Sequence, residues 1–566
     1  MIVKKYPLAL LIGVCVTLFF SHLDILYVNI MEARNFITAR EMLQDDHWIF
    51  TTLNGIPRYE KPPLPTWITA FFGSLFGIQN VIALRFPAAL MGILLVIYQY
   101  LFLLRFSGKQ KFAFIGTLIL STSFFILYAS RNAQWDIYTH TFMMASIFHL
   151  YLVFTTSEKR ILHAVLAGVF FGLSFLSKGP VSLYALWLPF LIAYGWVYRF
   201  SNFNKKWVVI ILFSLVASVI SISWYLYIYI ESPNAIENIG KKAWFNWSNY
   251  NARPFYYYWS FIVQSGVWTI PSFIGLLYPY LKDKVRDKKA YTFTLIWTLA
   301  SVVLLSIIPE KKSRFLLPVL IPLACNTAFY IDYLIRHFSE LKNSRETGIV
   351  YFNFGAIAII GMLFPISGYV YFGDALSGKW IWYVLLSISL LIIGFFILKG
   401  LFRKNFENVF YLSIAYIMAI MLFGMPMASS FTVNEQYKPL SSLKEWERDN
   451  KMKTYAFKNI TPELLWSYGD TMELLLDNDE LQLPSEEKFA VIVNEEHNEL
   501  FESTFKRFYV EKVDRYDMNP KGPGDRSHKT RLWRDLYVVT KAYIALEASE
   551  VPRTQESQVG FQKTSQ

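Results

Sequence analysis

Long apolar runs separated by short charged breaks fill the first 430 residues of the chain. Runs of about 17–25 apolar residues match the thickness of bilayer hydrocarbon. They place spans near 6–22, 81–104, 111–130, 138–155, 161–177, 180–198, 207–230, 256–280, 290–308, 315–335, 349–371, 380–399 and 408–428, about thirteen in all. The stretch LPTWITAFFGSLFG at 64–77 is too short to cross and reads as an interfacial helix that ends on its glycines. The first run follows Lys4 and Lys5 as in a signal peptide, but no small-x-small cleavage site follows, so a retained first span is expected. From about Phe431 the pattern changes: TYAFKN, KFAVIVNE, RFYVEKVD and DLYVVTK alternate or cluster as strands do, and 461–481 reads as helical. The predicted architecture is a polytopic α-helical membrane domain over 1–430 with an outward insert at about 23–80. A small outward α/β domain follows over 431–546, with a polar, disordered tail over 547–566.

The charged breaks orient these spans. Counted from a cytoplasmic start, the loops that return inside are RFSGKQK, TSEKR, RFSNFNKKW, LKDKVRDKKA, RHFSELKNSRE and KGLFRKNFEN, all basic as cytoplasmic loops are. An odd number of spans puts the termini on opposite sides, so the insert and the C-terminal domain face outward. Cations nonetheless map to that face: Arg34, Arg58, Lys61, Arg131, Lys178, Lys241, Lys242, Arg253, Lys311, Lys312 and Arg314. A recurring anionic ligand there, such as a lipid-linked phosphate, accounts for the exception.

Composition narrows the classes. Of 566 residues, 54% are hydrophobic and 18% aromatic, which fits a membrane protein. The net charge of +12 comes from Lys and Arg scattered through short loops, not from one soluble face, so nucleic acid is excluded in favour of a phospholipid or lipid-phosphate partner. The two cysteines, Cys15 and Cys325, both lie in apolar runs and build neither a disulfide framework nor a metal site. No Gly-rich phosphate loop signals a nucleotide.

Charge is densest between Asn29 and Pro65, where an ionisable cluster beside apolar spans marks a functional site. MEARNFITAREML spaces Phe36, Ala39, Met42 and Leu43 as a helix lying on the membrane, with Glu32 at its start aimed at a cavity. Glu32 there is suited to proton transfer or to stabilising a sugar cation, or serves only as a first-turn cap. In RYEKPPLPTW, the prolines hold Lys61 on an extended backbone suited to gripping a phosphate, with Arg58 nearby and Glu60 placed to orient it or bind a metal; a rigid turn with solvated charges is the plainer alternative. Asp136 in QWDIYTHTF sits at the outer end of a span, with Arg131 its local partner, as a catalytic carboxylate or as half of a structural ion pair. Lys178 stands in the turn FLSKGPVSL, where most lysines are simply solvated. PEKKSRF crowds Glu310, Lys311, Lys312 and Arg314 between two spans, and Arg314 is suited to a bidentate phosphate clamp or belongs to an ordinary charged loop. The loop 231–256 mixes Lys242, Arg253, Asn246 and Asn249 with Trp and Tyr, a sugar-stacking surface or an interfacial aromatic belt.

Taken in order, MEARNFITAREM, NGIPRYEKPPLPTW, the aspartate of QWDIYTHTF, LSKGP and PEKKSRFLLPVLIP resemble the bacterial aminoarabinose lipid A transferase branch of the protein O-mannosyltransferase superfamily, the membrane-embedded GT-C glycosyltransferases. The resemblance covers about residues 1–430, most closely 25–180. It implies an inverting transfer from a polyprenyl-phosphate sugar to an acceptor on the outer face of the bacterial inner membrane, lipid A or another glycolipid, with a protein hydroxyl as the alternative. The family carries an Asp-Glu pair in the first outer loop, whereas this chain has Met31 followed by Glu32, so the catalytic carboxylate is Glu32 or Asp136. By matching position Lys61, with Arg253 and Arg314, binds the lipid phosphate, and Arg58, Arg131, Lys178 and Lys311 are further cations for it. Glu60 matches a residue that helps hold zinc in that branch, but the later outer loop lacks the expected histidine, so no tightly bound metal or other cofactor is expected. A transporter would hide its charges at the bilayer midplane in two related halves, a pattern absent from this chain. A non-catalytic scaffold is the remaining alternative, prompted by Met31.

Overall fold

The computed structural model describes residues 5–543, apart from 201–205, 235–236, 238–239, 242–244, 246–248, 250, 432–433 and 478–479. Lys242, Asn246 and the tail from 547 lie outside the described residues. The chain divides into two compact units, Met1–Val433 and Asn434–Gln566.

The first unit is helical. It runs through α1 (Pro7–Phe20), α2 (Ile30–Gln44), a hairpin of β1 (Thr52–Leu53) and β2 (Ile56–Pro57), α3 (Leu64–Phe76), α4 (Val81–Ser107), α5 (Gln110–Ser121) and α6 (Phe124–Ser130). Next come α7 (Trp135–Thr155), α8 (Arg160–Lys178), α9 (Leu188–Tyr198), α10 (Trp207–Glu231), α11 (Thr269–Leu276), α12 (Tyr278–Leu281), α13 (Lys288–Ile307) and α14 (Leu320–His337). The unit closes with α15 (Ser344–Phe372), α16 (Trp380–Phe402) and α17 (Phe406–Ala419). Among the described residues nine helical stretches are long and apolar enough to cross a membrane. The expected span 111–130 is a bent pair, α5 and α6, meeting at 69°. The bend has a local cause: the Thr122 and Ser123 hydroxyls donate back to the Leu118 and Ile119 carbonyls, and Trp268 Nε1 donates to Thr122 Oγ1 at 2.8 Å. The expected spans 6–22 and 180–198 are shorter apolar helices. The stretch expected as 256–280 is a 3-10 segment, Phe255–Trp268, broken from α11 by Gly266 at φ +67°.

Packing follows the small residues. Helix α8 lies against both α7 and α10. On its α10 side a Cβ at Gly168 would sit 2.8 Å from the Phe213 carbonyl, and one at Gly172 would sit 2.4 Å from the Ile220 Cβ, so only glycine allows this approach. A continuous apolar core runs from Leu11 through Phe102, Ile147 and Trp297 to Phe410.

Helix α2 departs from expectation. It does not lie on a surface: Met31, Glu32, Asn35, Phe36, Arg40 and Glu41 are all buried, because polar partners from α3, α4 and the 132–133 turn meet its polar face. Helix α3 ends at Gly77 as the sequence predicts.

The second unit holds a four-stranded sheet in the order β3 (Thr454–Ala456), β6 (Lys488–Val493), β8 (Trp533–Tyr543), β7 (Phe508–Asp517). The first pair is parallel and the others antiparallel. Phe457, Phe489, Val491, Phe501, Phe505 and Val539 form its core. The four strand stretches expected from sequence are these strands. The helix expected over 461–481 covers only Pro462–Tyr468, because Gly469 at φ +84° ends it, and a short β4–β5 pair (Leu476–Asp477, Glu480–Leu481) follows.

Candidate functional site

The beginning of α2 is a clamp. Asn29 caps it, accepting from the Met31 and Glu32 amides, while Glu32 Oε2 accepts from the Asn29 amide. Every remaining acceptor of Glu32 is taken: Arg85 Nε donates to Oε1 at 2.7 Å and Nη2 to Oε2 at 3.0 Å, the Ala133 amide to Oε1 at 3.1 Å, and Asn29 Nδ2 to Oε2 at 2.7 Å. Arg85 also donates to the Leu23, Leu26 and Tyr27 carbonyls. Arg131 donates to the Leu18, Ser21 and His22 carbonyls, so it anchors the chain leaving α1 and is not the partner of Asp136.

The far end of α2 holds the next segment. Glu41 accepts from Thr52 Oγ1 at 2.5 Å and from the Asn54 amide at 2.7 Å, which fixes the β1–β2 hairpin. Arg58 exchanges two hydrogen bonds with Thr51, and the following Glu60, Lys61, Pro62 and Pro63 lead into α3. Arg58 lies over the Trp135 ring at 5.8 Å and its Nη2 is 3.9 Å from Glu60, whose side chain is largely exposed.

The cluster forms where four elements end. Asp136 stands in the first turn of α7 and Lys178 is the last residue of α8, each placed where the helix dipole favours its charge. Gly179 at φ +75° turns the chain away behind Lys178. Both side chains are buried, and Lys178 Nζ donates to Asp136 Oδ1, leaving Oδ2 buried without a hydrogen-bond partner. Around the Phe315 ring sit Lys178 at 5.5 Å, Lys312 at 5.8 Å and Arg314 at 5.9 Å. Lys312 pairs with Glu310 at 2.5 Å. Burial, with Lys178 beside it, pushes the Lys61 ammonium down to about 8, and Asp136, Arg58 and Arg314 also act on it. Burial likewise pushes the Arg58 guanidinium down to about 10.

Lys61, Asp136, Lys178, Arg314 and Arg58 therefore come together, although they lie far apart in sequence. Glu32 is saturated by Arg85 and the 132–133 turn. Lys311 donates to the Arg253 and Ile308 carbonyls and ties two loops at the Ala252–Glu310 bridge, while the Arg253 side chain is exposed. Among the described residues no three His, Cys, Asp or Glu side chains gather, and Glu60 lies 3.9 Å from the Arg58 guanidinium. Two neighbours were not singled out from sequence. His140, one turn after Asp136, meets Ser182 Oγ through Nδ1 at 3.0 Å and leaves Nε2 buried without a partner. Arg85 had a signal, since one Arg inside an apolar span requires a partner.

Residues 5–237 match the dolichyl-phosphate-mannose-protein mannosyltransferase family. The chain is 26% identical over 343 residues to undecaprenyl phosphate-alpha-4-amino-4-deoxy-L-arabinose arabinosyl transferase 2 of Proteus mirabilis, covering 59% of this chain and 60% of that protein. It is 28% identical over 368 residues to the transferase of the same description from Edwardsiella ictaluri, covering 62% and 64%. Superposition on ArnT from Cupriavidus metallidurans bound to undecaprenyl phosphate gives a TM-score of 0.67 over 94% of this chain and 97% of that one, at 17% identity. The chain has the fold of ArnT and is similar in sequence to the aminoarabinose transferases. Its matched stretch spans about three fifths of the length of the first curated relatives.

Proposed function

We propose that the protein transfers a sugar, a pentose in the first instance, from a polyprenyl-phosphate carrier to lipid A or another glycolipid on the outer face of a bacterial inner membrane. The observation that carries this reading is the cluster's charge: Lys61, Lys178 and Arg314 gather about one buried carboxylate, Asp136, with Arg58 acting on Lys61, an excess of cations suited to a phosphate. The names of the relatives, which specify undecaprenyl-phosphate aminoarabinose, supply the donor class.

The chemistry asks for little beyond this. As the acceptor hydroxyl attacks the anomeric carbon, the bond to the phosphate oxygen breaks and the lipid phosphate leaves with the bonding pair. Lys61, Lys178 and Arg314 stabilise the charge that develops on it. Asp136 Oδ2, the oxygen with no donor, accepts the acceptor's proton, and Lys178 holds the other oxygen in place. Glu32 has no lone pair to spare and serves the scaffold. With Glu60 aimed at Arg58, the reaction is proposed without a metal.

The test is sugar release from purified undecaprenyl-phosphate-linked aminoarabinose, with lipid A and a hydroxyl-bearing peptide as alternative acceptors. Lys61→Ala and Asp136→Asn are expected to lower turnover by roughly a hundredfold or more while the protein stays folded. Turnover unchanged in both variants removes the reading, and transfer to the peptide alone replaces the glycolipid acceptor by a protein.

A further inference from the structure

At the turn between α16 and α17 a cavity of about 590 Å³ opens, lined by Phe396, Lys399, Arg403, Asn405, Asn408 and Tyr411 among others, with no acidic side chain in its wall. From Arg314 the chain crosses through 313–337, 344–376 and 380–402 before reaching this turn, so three crossings put the cavity on the face opposite the charged cluster. Nothing in the proposed transfer uses it.

Basic residues at such a turn are expected for topology alone. The structure separates them by what they meet. Lys404 is engaged, donating to the Leu341 carbonyl at 2.9 Å, and Lys111 is engaged with Glu407 at 2.7 Å. Lys399 and Arg403 instead line the cavity, Lys399 lying 5.6 Å over the Phe396 ring. Asn405 Oδ1 accepts from the Asn408 amide, holding the turn that carries both asparagines. Beside this polar floor Phe396 and Leu412 line the cavity, and Phe395 and Phe402 stand exposed nearby. Two cations, amide donors and a phenol therefore sit where a span meets the membrane surface, next to apolar side chains.

We propose that this cavity holds the head group of an anionic phospholipid from the adjoining leaflet, its phosphate between Lys399 and Arg403 and its acyl chains along Phe396 and Leu412. The volume suits a head group, and cations at a membrane surface attract anionic lipid.

Native mass spectrometry of the full-length protein, released from mixed phosphatidylglycerol and phosphatidylcholine vesicles, reads the site. The wild type is expected to retain phosphatidylglycerol over phosphatidylcholine. K399A/R403A is expected to lose roughly tenfold of that preference, whereas K399R/R403K keeps it and the exposed-loop control R286A/K289A matches wild type. An undiminished preference in K399A/R403A, or an equal loss in the control, overturns the proposal. Displacement of the retained lipid by millimolar inorganic phosphate also overturns it, marking a site for free anions instead. Because Lys399 and Arg403 are exposed, their replacement leaves the core untouched, and thermal unfolding equal to wild type verifies that.

Discussion

Lys61 has its ionisation moved toward physiological pH. Burial and the neighbouring Lys178 lower its affinity for a proton to about 8, so in the ligand-free protein it is charged below that value and loses charge above it. A bound phosphate favours the ammonium, so binding draws in a proton at alkaline pH. Affinity for undecaprenyl phosphate is therefore expected to be flat below pH 7 and to fall above pH 8, by at most roughly tenfold per unit. Lys61→Arg is expected to flatten the profile, because a guanidinium stays charged. Titration of the fluorescently labelled lipid between pH 6.5 and 9.5 checks both, and an identical slope in the two proteins removes Lys61 from the phosphate site. His140 invites a second comparison, since one turn after Asp136 it meets Ser182 Oγ while its other ring nitrogen is buried without a hydrogen-bond partner. As a positioning residue it is expected, when replaced by Asn, to lower kcat by about tenfold with little change in KM; loss of folded protein alone would assign it to the scaffold. The sequence shows Lys61, Asp136, Lys178 and Arg314 as charges that belong at one face. It does not show that Asp136 meets Lys178 and not Arg131, because that pairing joins the ends of two helices 42 residues apart.

Among elements, α2 has the polarity of a surface helix and the burial of a core one. Its sequence carries the explanation only in part: Asn29 and Glu32 stand three apart, the spacing of a capping box, but the partner that lets Glu32 be buried, Arg85, comes from a different span. Local spacing reveals caps and not the long-range pairs that decide which face of a helix is covered. The pair itself is a clamp on the chain leaving α1. Removing one member strands a charge in the interior, at a cost of about 3–5 kcal/mol, whereas removing both leaves no stranded charge. Arg85→Met is thus expected to lower the midpoint of thermal unfolding in detergent by several degrees, and Glu32→Gln added to it to restore most of the loss. If the double variant is no better than the single one, the loss does not come from a stranded Glu32 charge and the Arg85–Glu32 pair is not the clamp. Bent and broken elements were the least legible. The 69° turn between α5 and α6 depends on Thr122, Ser123 and a tryptophan contributed by residue 268, so an apolar run of ordinary length reads as one straight span.

Across the whole chain, two compact units divide between Val433 and Asn434. The second unit has what an independent domain requires. Strand β3 is buried throughout and β6 along all but Lys488, and apolar side chains close on one another as a core of Phe457, Phe489, Val491, Phe501 and Phe505. Part of its polar interior is paired within the unit: Asp517 accepts from His528 Nε2 at 3.0 Å, the Asn519 amide at 2.9 Å and Asn434 Nδ2 at 3.0 Å, and Asp535 is shared by Lys512 and Arg515. With this core and these charge pairs inside 434–543, we propose that this segment folds alone. Expressed by itself it is expected to be soluble, to show mixed α/β circular dichroism, and to unfold in urea in one cooperative step with a slope of about 1 kcal/mol per molar or more. Asp517→Ala is expected to shift that midpoint down by breaking the network that holds the 518–532 crossing. A fragment that unfolds without a cooperative step would mean that the sheet needs the membrane unit to form.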